Sequence, residues 1–324
     1  MNVTLILYES RYGTGKNVAN IICPVLGPAK SFDINDVPQD IKHYSNVVLV
    51  FSLYGYESCE KILSYIENNK IDLSKKKVAL LCIGLSKKDG TKELNKIKSI
   101  INKEDALCEF IEGEMYMNKL TQNDKSKIKD FCDKVKMPFS DLGKFDKSSV
   151  LELSKKLREY FNTPQFIPPT NITKKEIEDF LKRKNTCTLA TGYEDYIRAT
   201  PIEYEYYDGN IYIISEGGLK FIGLSENKKV CICIYEDYTN MNNLCGLQIS
   251  GNSEILEPWC EEYMETLDRK GLKIENILKL PFNMNIIKVI PDKYEFLYSK
   301  FKNLGFDSKQ TYIPNKYVAI TISV

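Results

Sequence analysis

One histidine, His43, and one tryptophan are all that 324 residues hold of those two types. A His-rich metal site is thereby excluded. A Ser-His-Asp triad has no nucleophile motif to complete it, and His43 reads as a solvated loop residue. Charge imbalance is missing too: Lys+Arg is 45 and Asp+Glu 44, a net charge of +1. No bulk positive field draws the chain to nucleic acid or to anionic lipid. Long apolar runs are also lacking. "VALLCIGL" (78–85) falls far short of the ~20 residues a membrane span needs. The opening "MNVTLILYES" has no basic leader, extended apolar core or small-residue cleavage site, so no signal peptide is expected. Ten cysteines are present, none in a CxxC pair. Cys231 and Cys233 point to one face of an expected strand, which is neither zinc-finger nor iron–sulfur spacing. The expectation is a cytoplasmic protein with reduced structural thiols.

Apolar residues at 43% and charged residues at 27% describe a globular chain, long enough for two domains. The first half alternates. Strands are expected at 3–9, 29–34, 46–52, 77–84 and 107–113, with helices near 15–23, 57–69, 89–103 and 122–136. Runs this continuously apolar suit strands buried on both faces. Strand–helix alternation gives a parallel sheet, whose ligands bind beyond the carboxyl ends of the strands.

The stretch "YESRYGTGKNVANII" (8–22) lies at such an end. It is no Walker A loop: matched on Gly15-Lys16, the first glycine falls on Ser10 and the magnesium hydroxyl on Asn17. A dinucleotide fingerprint fails as well, because Val18 stands where the third glycine belongs. What remains is a glycine- and hydroxyl-rich turn from strand to helix. Ser10, Thr14 and backbone N–H groups there suit one terminal phosphate, with Arg11 and Lys16 as outer charges. A tight turn without a ligand is the equal alternative.

This stretch resembles the phosphate loop of flavodoxins, with Ser10, Gly13 and the following helix in place and Tyr12 and Gly15 where threonines are usual. It is closer to the flavodoxin-like domain of menaquinone-dependent protoporphyrinogen dehydrogenases, in which Ser-Arg-Tyr-Gly is common. "VFSLYGYES" (50–58) is similar to their second flavin loop, with Tyr54, and less so Tyr56, set to lie against an isoalloxazine ring. "CIGLSKKDG" (82–90) stands at the third loop. "IEGEMYMNKL" (111–120) is similar to a segment near their last strand. The resemblance covers roughly 1–137 and implies a parallel sheet with helices on both faces. It also implies an FMN site at Ser10, Tyr12, Gly13, Thr14, Gly15 and Tyr54, which the missing threonines leave open.

A linker is expected over 138–171: turn-rich at first, then an amphipathic helix at 151–161, then an extended stretch with three prolines at 162–171. From 172 to 324 the period changes. After a helix at 173–184 come short strands at 186–191, 196–207, 210–215, 229–236, 247–257 and 285–292, with helices at 217–227 and 258–270. Asp208-Gly209 is a hairpin signal. Closely spaced antiparallel strands of this kind suggest a small barrel.

The order of elements, the Asp-Gly turn and "CTLATGYEDYIRATPIEYEYYDGNIYIISEGGLKFIGLSENKKVCICIYED" resemble the pyridoxamine 5′-phosphate oxidase-like, FMN-binding split barrels. "LQISGNSEIL" is similar to their closing strand. Carried over, Arg198 and Lys220 bind the FMN phosphate, the main chain of Thr200, Ile202 and Ile214 lines the flavin edge, and Ser215 and Gln248 give polar contacts. A homodimer through the barrel is implied. The barrel half has no histidine, which separates it from the vitamin B6 oxidases. Together the two resemblances imply an FMN-dependent oxidoreductase or electron-transfer protein, working with a redox partner or small-molecule acceptor. No catalytic acid or base is identified and no metal is expected. The alternative is a non-catalytic flavin- or tetrapyrrole-binding protein whose flavodoxin-like half is an interaction module.

Overall fold

Apolar runs with few polar interruptions build the first unit. The computed structural model describes residues 3–38, 40–54, 60–164 and 166–314, and its contacts divide the chain into Met1–Thr163 and Pro164–Val324. In chain order the first unit holds β1 (Thr4–Tyr8), α1 (Thr14–Leu26), β2 (Ala29–Asp33), β3 (Asn46–Ser52), α2 (Glu60–Ser74), β4 (Lys77–Gly84), α3 (Lys87–Ile100), β5 (Leu107–Glu112), β6 (Glu114–Met115), α4 (Gln122–Val135), β7 (Leu142–Gly143) and α5 (Lys147–Phe161). Five strands pair in parallel in the order β2-β1-β3-β4-β5. Every residue of β3 is buried, as its unbroken apolar run requires.

Successive side chains alternate across the sheet. Leu49, Phe51, Leu80 and Cys82 pack with Ile62 and Ile66 of α2 and Leu94 and Ile97 of α3. Val48, Val50, Ala79 and Leu81 pack with Val18 and Ile22 of α1 and with Val150, Leu157 and Phe161 of α5. Helices therefore cover both faces. Helix α5, which the sequence reading placed in the linker, supplies three core residues to this unit. Residues 55–58 of the second flavin loop, Tyr56 among them, lie outside the described residues.

The second unit holds α6 (Thr170–Arg183), β8 (Thr186–Tyr193), β9 (Tyr196–Glu203), β10 (Glu205–Tyr207), β11 (Asn210–Ser215), α7 (Lys220–Glu226), β12 (Lys229–Tyr235), β13 (Cys245–Ile255), α8 (Glu261–Arg269), α9 (Ile274–Ile277), β14 (Asn285–Tyr298), α10 (Lys300–Asn303) and β15 (Lys309–Tyr312). Its antiparallel sheet runs β10-β11-β14-β13-β12-β8-β9, with β15 on β14, and curls into a split barrel. Asp208 and Gly209 both take positive φ, 45° and 78°, the geometry of a two-residue hairpin turn. The core gathers Leu189, Ile213, Ile232, Leu247, Ile249, Ile287 and Phe296.

Strand β14 runs on to Tyr298, past Pro291, where the sequence reading stopped it at 292. A bulge makes this tolerable. The register shifts between Ser250 and Gly251, so that Asp292 stands opposite no residue of β13 in the ladder. A Cβ on Gly251 would stand 2.4 Å from the Ile290 carbonyl oxygen and 3.1 Å from Pro291 Cα. Gly251→Ala is therefore expected to lower barrel stability by about 1–3 kcal/mol, read as a shift in the denaturation midpoint. An unchanged midpoint would mean the bulge yields freely.

Among the described residues, no helix is long and apolar enough to cross a membrane. No group of three metal-ligating side chains occurs among them either, and no disulfide joins two of the nine described cysteines. His43 is exposed, its ring 4.1 Å from that of Tyr44.

Candidate functional site

Strand β1 ends in the turn at 9–13. Gly13 has φ +96°, a conformation that favours glycine, and α1 starts on the next residue. A Cβ on Gly15 would stand 3.0 Å from the Glu9 carbonyl oxygen and 3.2 Å from Ser10 Cβ, so the second glycine lets the turn close. Its inner donors are in use: Ser10 Oγ accepts from the Gly13 N–H at 3.0 Å and the Gly15 N–H at 3.1 Å. Thr14 is half-buried and Lys16 exposed.

A second ring of contacts closes around the turn. The Arg11 backbone N–H donates to the Tyr54 hydroxyl at 2.8 Å, and the Arg11 guanidinium lies 4.5 Å from the Tyr54 ring centroid. The Tyr12 ring meets Tyr54 edge-on at 6.1 Å. Arg11 also pairs with Asp124 of α4 at 3.2 Å, and the Tyr12 hydroxyl donates to the same carboxylate. The Tyr12 hydrogen bond, joined by the Arg11 charge, holds the Asp124 carboxyl below the usual carboxylate range, against the opposing pull of burial. One face of Tyr54 is thus covered by Arg11.

In the barrel, cross-strand pairing sets Arg198 opposite Thr191, Thr200 opposite Leu189 and Ile202 opposite Cys187. These side chains share one face of β9, along which Ile202 packs on the core and Arg198 is exposed. Between β11 and α7 the chain turns through Gly217 and Gly218, with φ +145° and +111°. Ser215 is buried, and its hydroxyl accepts from the Gly217 N–H at 3.2 Å. Lys220 follows at the start of α7. It is only 5% exposed, and its ammonium donates to the Gly217 carbonyl. Burial, and then the nearby Arg198 charge, push its pKa down. Neither cation has a carboxylate partner among the described residues. Two further groups there lack partners: the buried hydroxyls of Thr191 and Thr200.

A buried ammonium beside a guanidinium, with no anion, is unfavourable alone. Converging cations and donor hydroxyls are what a phosphate dianion requires, so these residues fit one. The inner donors of the first-unit turn are already satisfied, so in this conformation that turn does not offer them to a phosphate.

Family models agree with both units. The model described as "Flavodoxin domain" matches residues 5–138, and that described as "Pyridoxamine 5'-phosphate oxidase" matches 173–298. The chain joins a flavodoxin-like domain to a pyridoxamine 5′-phosphate oxidase-like domain. Both families point to a flavin-binding protein. Among solved structures, an FAD-binding protein from Mesorhizobium loti is 17% identical with a TM-score of 0.31, covering 37% of this chain and 90% of that one. The heme storage protein HutZ of Vibrio cholerae is 16% identical with a TM-score of 0.31, covering 36% and 89%. ChuZ of Campylobacter jejuni is 18% identical with a TM-score of 0.36, covering 54% and 74%. No curated protein matches the sequence.

The residues carried over do not all turn their side chains to one face. Ile214, expected to act through its main chain, turns its side chain into the cluster formed with α8 and α9. Gln248 is exposed and pairs with Cys233. Its neighbour Ile249 faces the core, so Gln248 lies on the opposite face of the sheet from Thr200 and Ile202. Sequence reasoning missed Thr191, although it ends the "CTLAT" strand. It also missed Gly223, where a Cβ would stand 2.8 Å from the Gly192 nitrogen and 2.9 Å from Thr191 Cβ. That glycine lets α7 approach β8. Asp124 had no sequence signal linking it to the turn.

A separate open cavity of about 530 Å³ lies against α8 of the oxidase-like barrel. Arg269 there stacks 4.1 Å from the Tyr207 ring centroid and 4.9 Å from that of Tyr212, and pairs with Glu205 at 3.2 Å. Lys288 pairs with Glu262 at 2.8 Å. Burial, and the hydrogen bond to Glu262, push the Tyr212 hydroxyl up to about 12. Both cations are neutralised in place, and none of the residues carried over lines this cavity.

Proposed function

We propose that this is an FMN-dependent flavoprotein of oxidoreductase or electron-transfer type, with its flavin in the oxidase-like barrel. The observation that carries the reading is Lys220: a residue only 5% exposed, its ammonium near Arg198 and without a carboxylate partner among the described residues. Such a charge is stabilised when an anion binds. Lys220 and Arg198 would hold the phosphate, with Thr191 and Thr200 as the nearby hydroxyl donors. The main chain of Thr200, Ile202 and Ile214 would run along the ring edge, and Ser215 would orient the loop that presents Lys220. Bound FMN supplies the redox chemistry, and the chain orients the ring and governs access to it.

The homodimer follows from the barrel resemblance, and in it Gln248, on the outer face, would reach a flavin held by the second copy. The same face carries Thr188, Ala190, Cys231 and Cys233, the small residues a flat interface accommodates, together with Ile197, 81% exposed, and Tyr235, 60% exposed. Electrons would pass to a redox partner or a small-molecule acceptor. With His43 confined to the other unit, no barrel imidazole is available for proton transfer.

Purified chain saturated with FMN is expected to show a flavin spectrum with one tightly held flavin per chain. It should run as a dimer by light scattering, and its flavin should be reduced by a chemical donor and reoxidised by an added acceptor. A colourless protein after FMN saturation, or a heme-type spectrum from purified material, would overturn the assignment.

A further inference from the structure

The turn of the flavodoxin-like unit is closed by residues of its own chain. Its inner N–H groups, on Gly13 and Gly15, are taken by Ser10 Oγ at 3.0 and 3.1 Å. Its outer residues are tied to α4: Arg11 pairs with Asp124 at 3.2 Å, Tyr12 donates to Asp124, and the Thr121 N–H donates to the Tyr12 hydroxyl at 3.3 Å. Asp124 is fixed in turn by its own N–H, which donates to Thr121 Oγ1 at 3.2 Å and caps the helix. Arg11 covers Tyr54 at 4.5 Å. One carboxylate therefore gathers the two residues that flank the entrance, and it places a negative charge there.

A phosphate entering this turn has to displace Ser10 from the two glycine N–H groups and approach past Asp124. Of the two outer cations, Arg11 is already neutralised by Asp124, and Lys16 is exposed. We propose that Asp124 is a latch residue that keeps the flavodoxin-like turn shut against the phosphate of a flavin mononucleotide, and that the unit takes this ligand only when the Arg11–Asp124 and Tyr12–Asp124 contacts open. The choice of FMN as ligand rests on the function proposed above; the latch rests on the contacts alone. A site whose competent form is a minor population binds more weakly by that fraction. Releasing the latch therefore strengthens binding without adding a contact.

The test is an equilibrium-dialysis titration of the full chain with FMN, and with riboflavin, which lacks the phosphate. Wild type, Asp124→Asn and Tyr12→Phe are compared, with Lys220→Ala used to identify the barrel's share. Asp124→Asn is expected to reveal a second FMN site, strengthened about tenfold or more over wild type. Tyr12→Phe, which removes one of the two contacts, should give a smaller gain, and riboflavin none. Wild type that already holds two FMN of similar affinity overturns the latch, and so does Asp124→Asn that gains nothing. Should Asp124→Asn fail to fold, absence of any gain in Tyr12→Phe decides against it. A barrel that binds no FMN would sink the proposed function, yet the difference between wild type and variant would still read the latch.

Discussion

Lys220→Met is expected to weaken FMN binding by about ten- to a hundredfold while leaving the flavin-free chain as stable as wild type, or more so. One charge-assisted contact to a phosphate is worth about 1.5–3 kcal/mol, which gives that range of affinity. Stability moves the other way because of what the ammonium lacks. Lys220 is 5% exposed, its ammonium donates to the Gly217 carbonyl rather than to a carboxylate, and Arg198 repels it. Methionine keeps most of the stem and removes the buried charge. The pH dependence carries the same signature. The folded pKa of Lys220 lies below the ordinary lysine value, so the unfolded chain binds more protons in the interval between the two. The lysine's contribution to the stability of the flavin-free chain therefore becomes more favourable as pH rises through that interval, and Lys220→Met lacks this rise. Titration by flavin fluorescence and thermal melts across pH measure both. A variant that melts well below wild type and binds FMN normally would make Lys220 a structural residue.

Phe296→Ala should remove about 3–5 kcal/mol from the barrel. The ring is fully buried. It lies 5.2 Å from Phe180 of α6, is stacked on Tyr298 at 4.8 Å, and meets Phe301 of α10 edge-on at 5.8 Å. One side chain thus joins the sheet to both flanking helices, and truncation leaves a void they cannot all fill. Against a typical domain stability of about 5–15 kcal/mol, the loss is large enough to leave part of the population unfolded under mild denaturant. Trp259, the chain's one tryptophan, sits in the second unit and reports its unfolding without signal from the first. A loss under about 1 kcal/mol in the flavin-free protein would mean the core repacks around the gap.

Much of this fold is legible in the sequence. Strands β3, β4 and β11 fall on the expected residues, 46–52, 77–84 and 210–215, because each is a continuous apolar run between strong breakers. Periodicity does not say what a helix packs on. The apolar stripe of α5 is plain in the sequence, but its destination against α1 is not. Proline is a poor guide to where β14 ends, because a bulge on a paired strand absorbs it. Arg198 and Lys220 lie near each other on a strand and a helix that no local pattern links, so the sequence offers the pair only through the resemblance. The resemblance names Gln248 but not its side of the sheet, since in a strand one position decides the face. Asp124 was out of reach because its partners, Arg11 and Tyr12, lie 113 and 112 residues away. No local pattern encodes such a pairing.

The packing of α5 bears on how the chain is made. The flavodoxin match ends at residue 138, but Val150, Leu157 and Phe161 complete the face that α1 begins. A nascent chain that has emerged only to 138 carries a finished sheet with one side covered by α1 alone, leaving an apolar surface suited to chaperone capture or self-association. Only when Phe161 clears the ribosome can that side close. The smallest fragment expected to express as a well-behaved domain therefore ends near Thr163, where the first unit stops, some twenty-five residues beyond the family boundary.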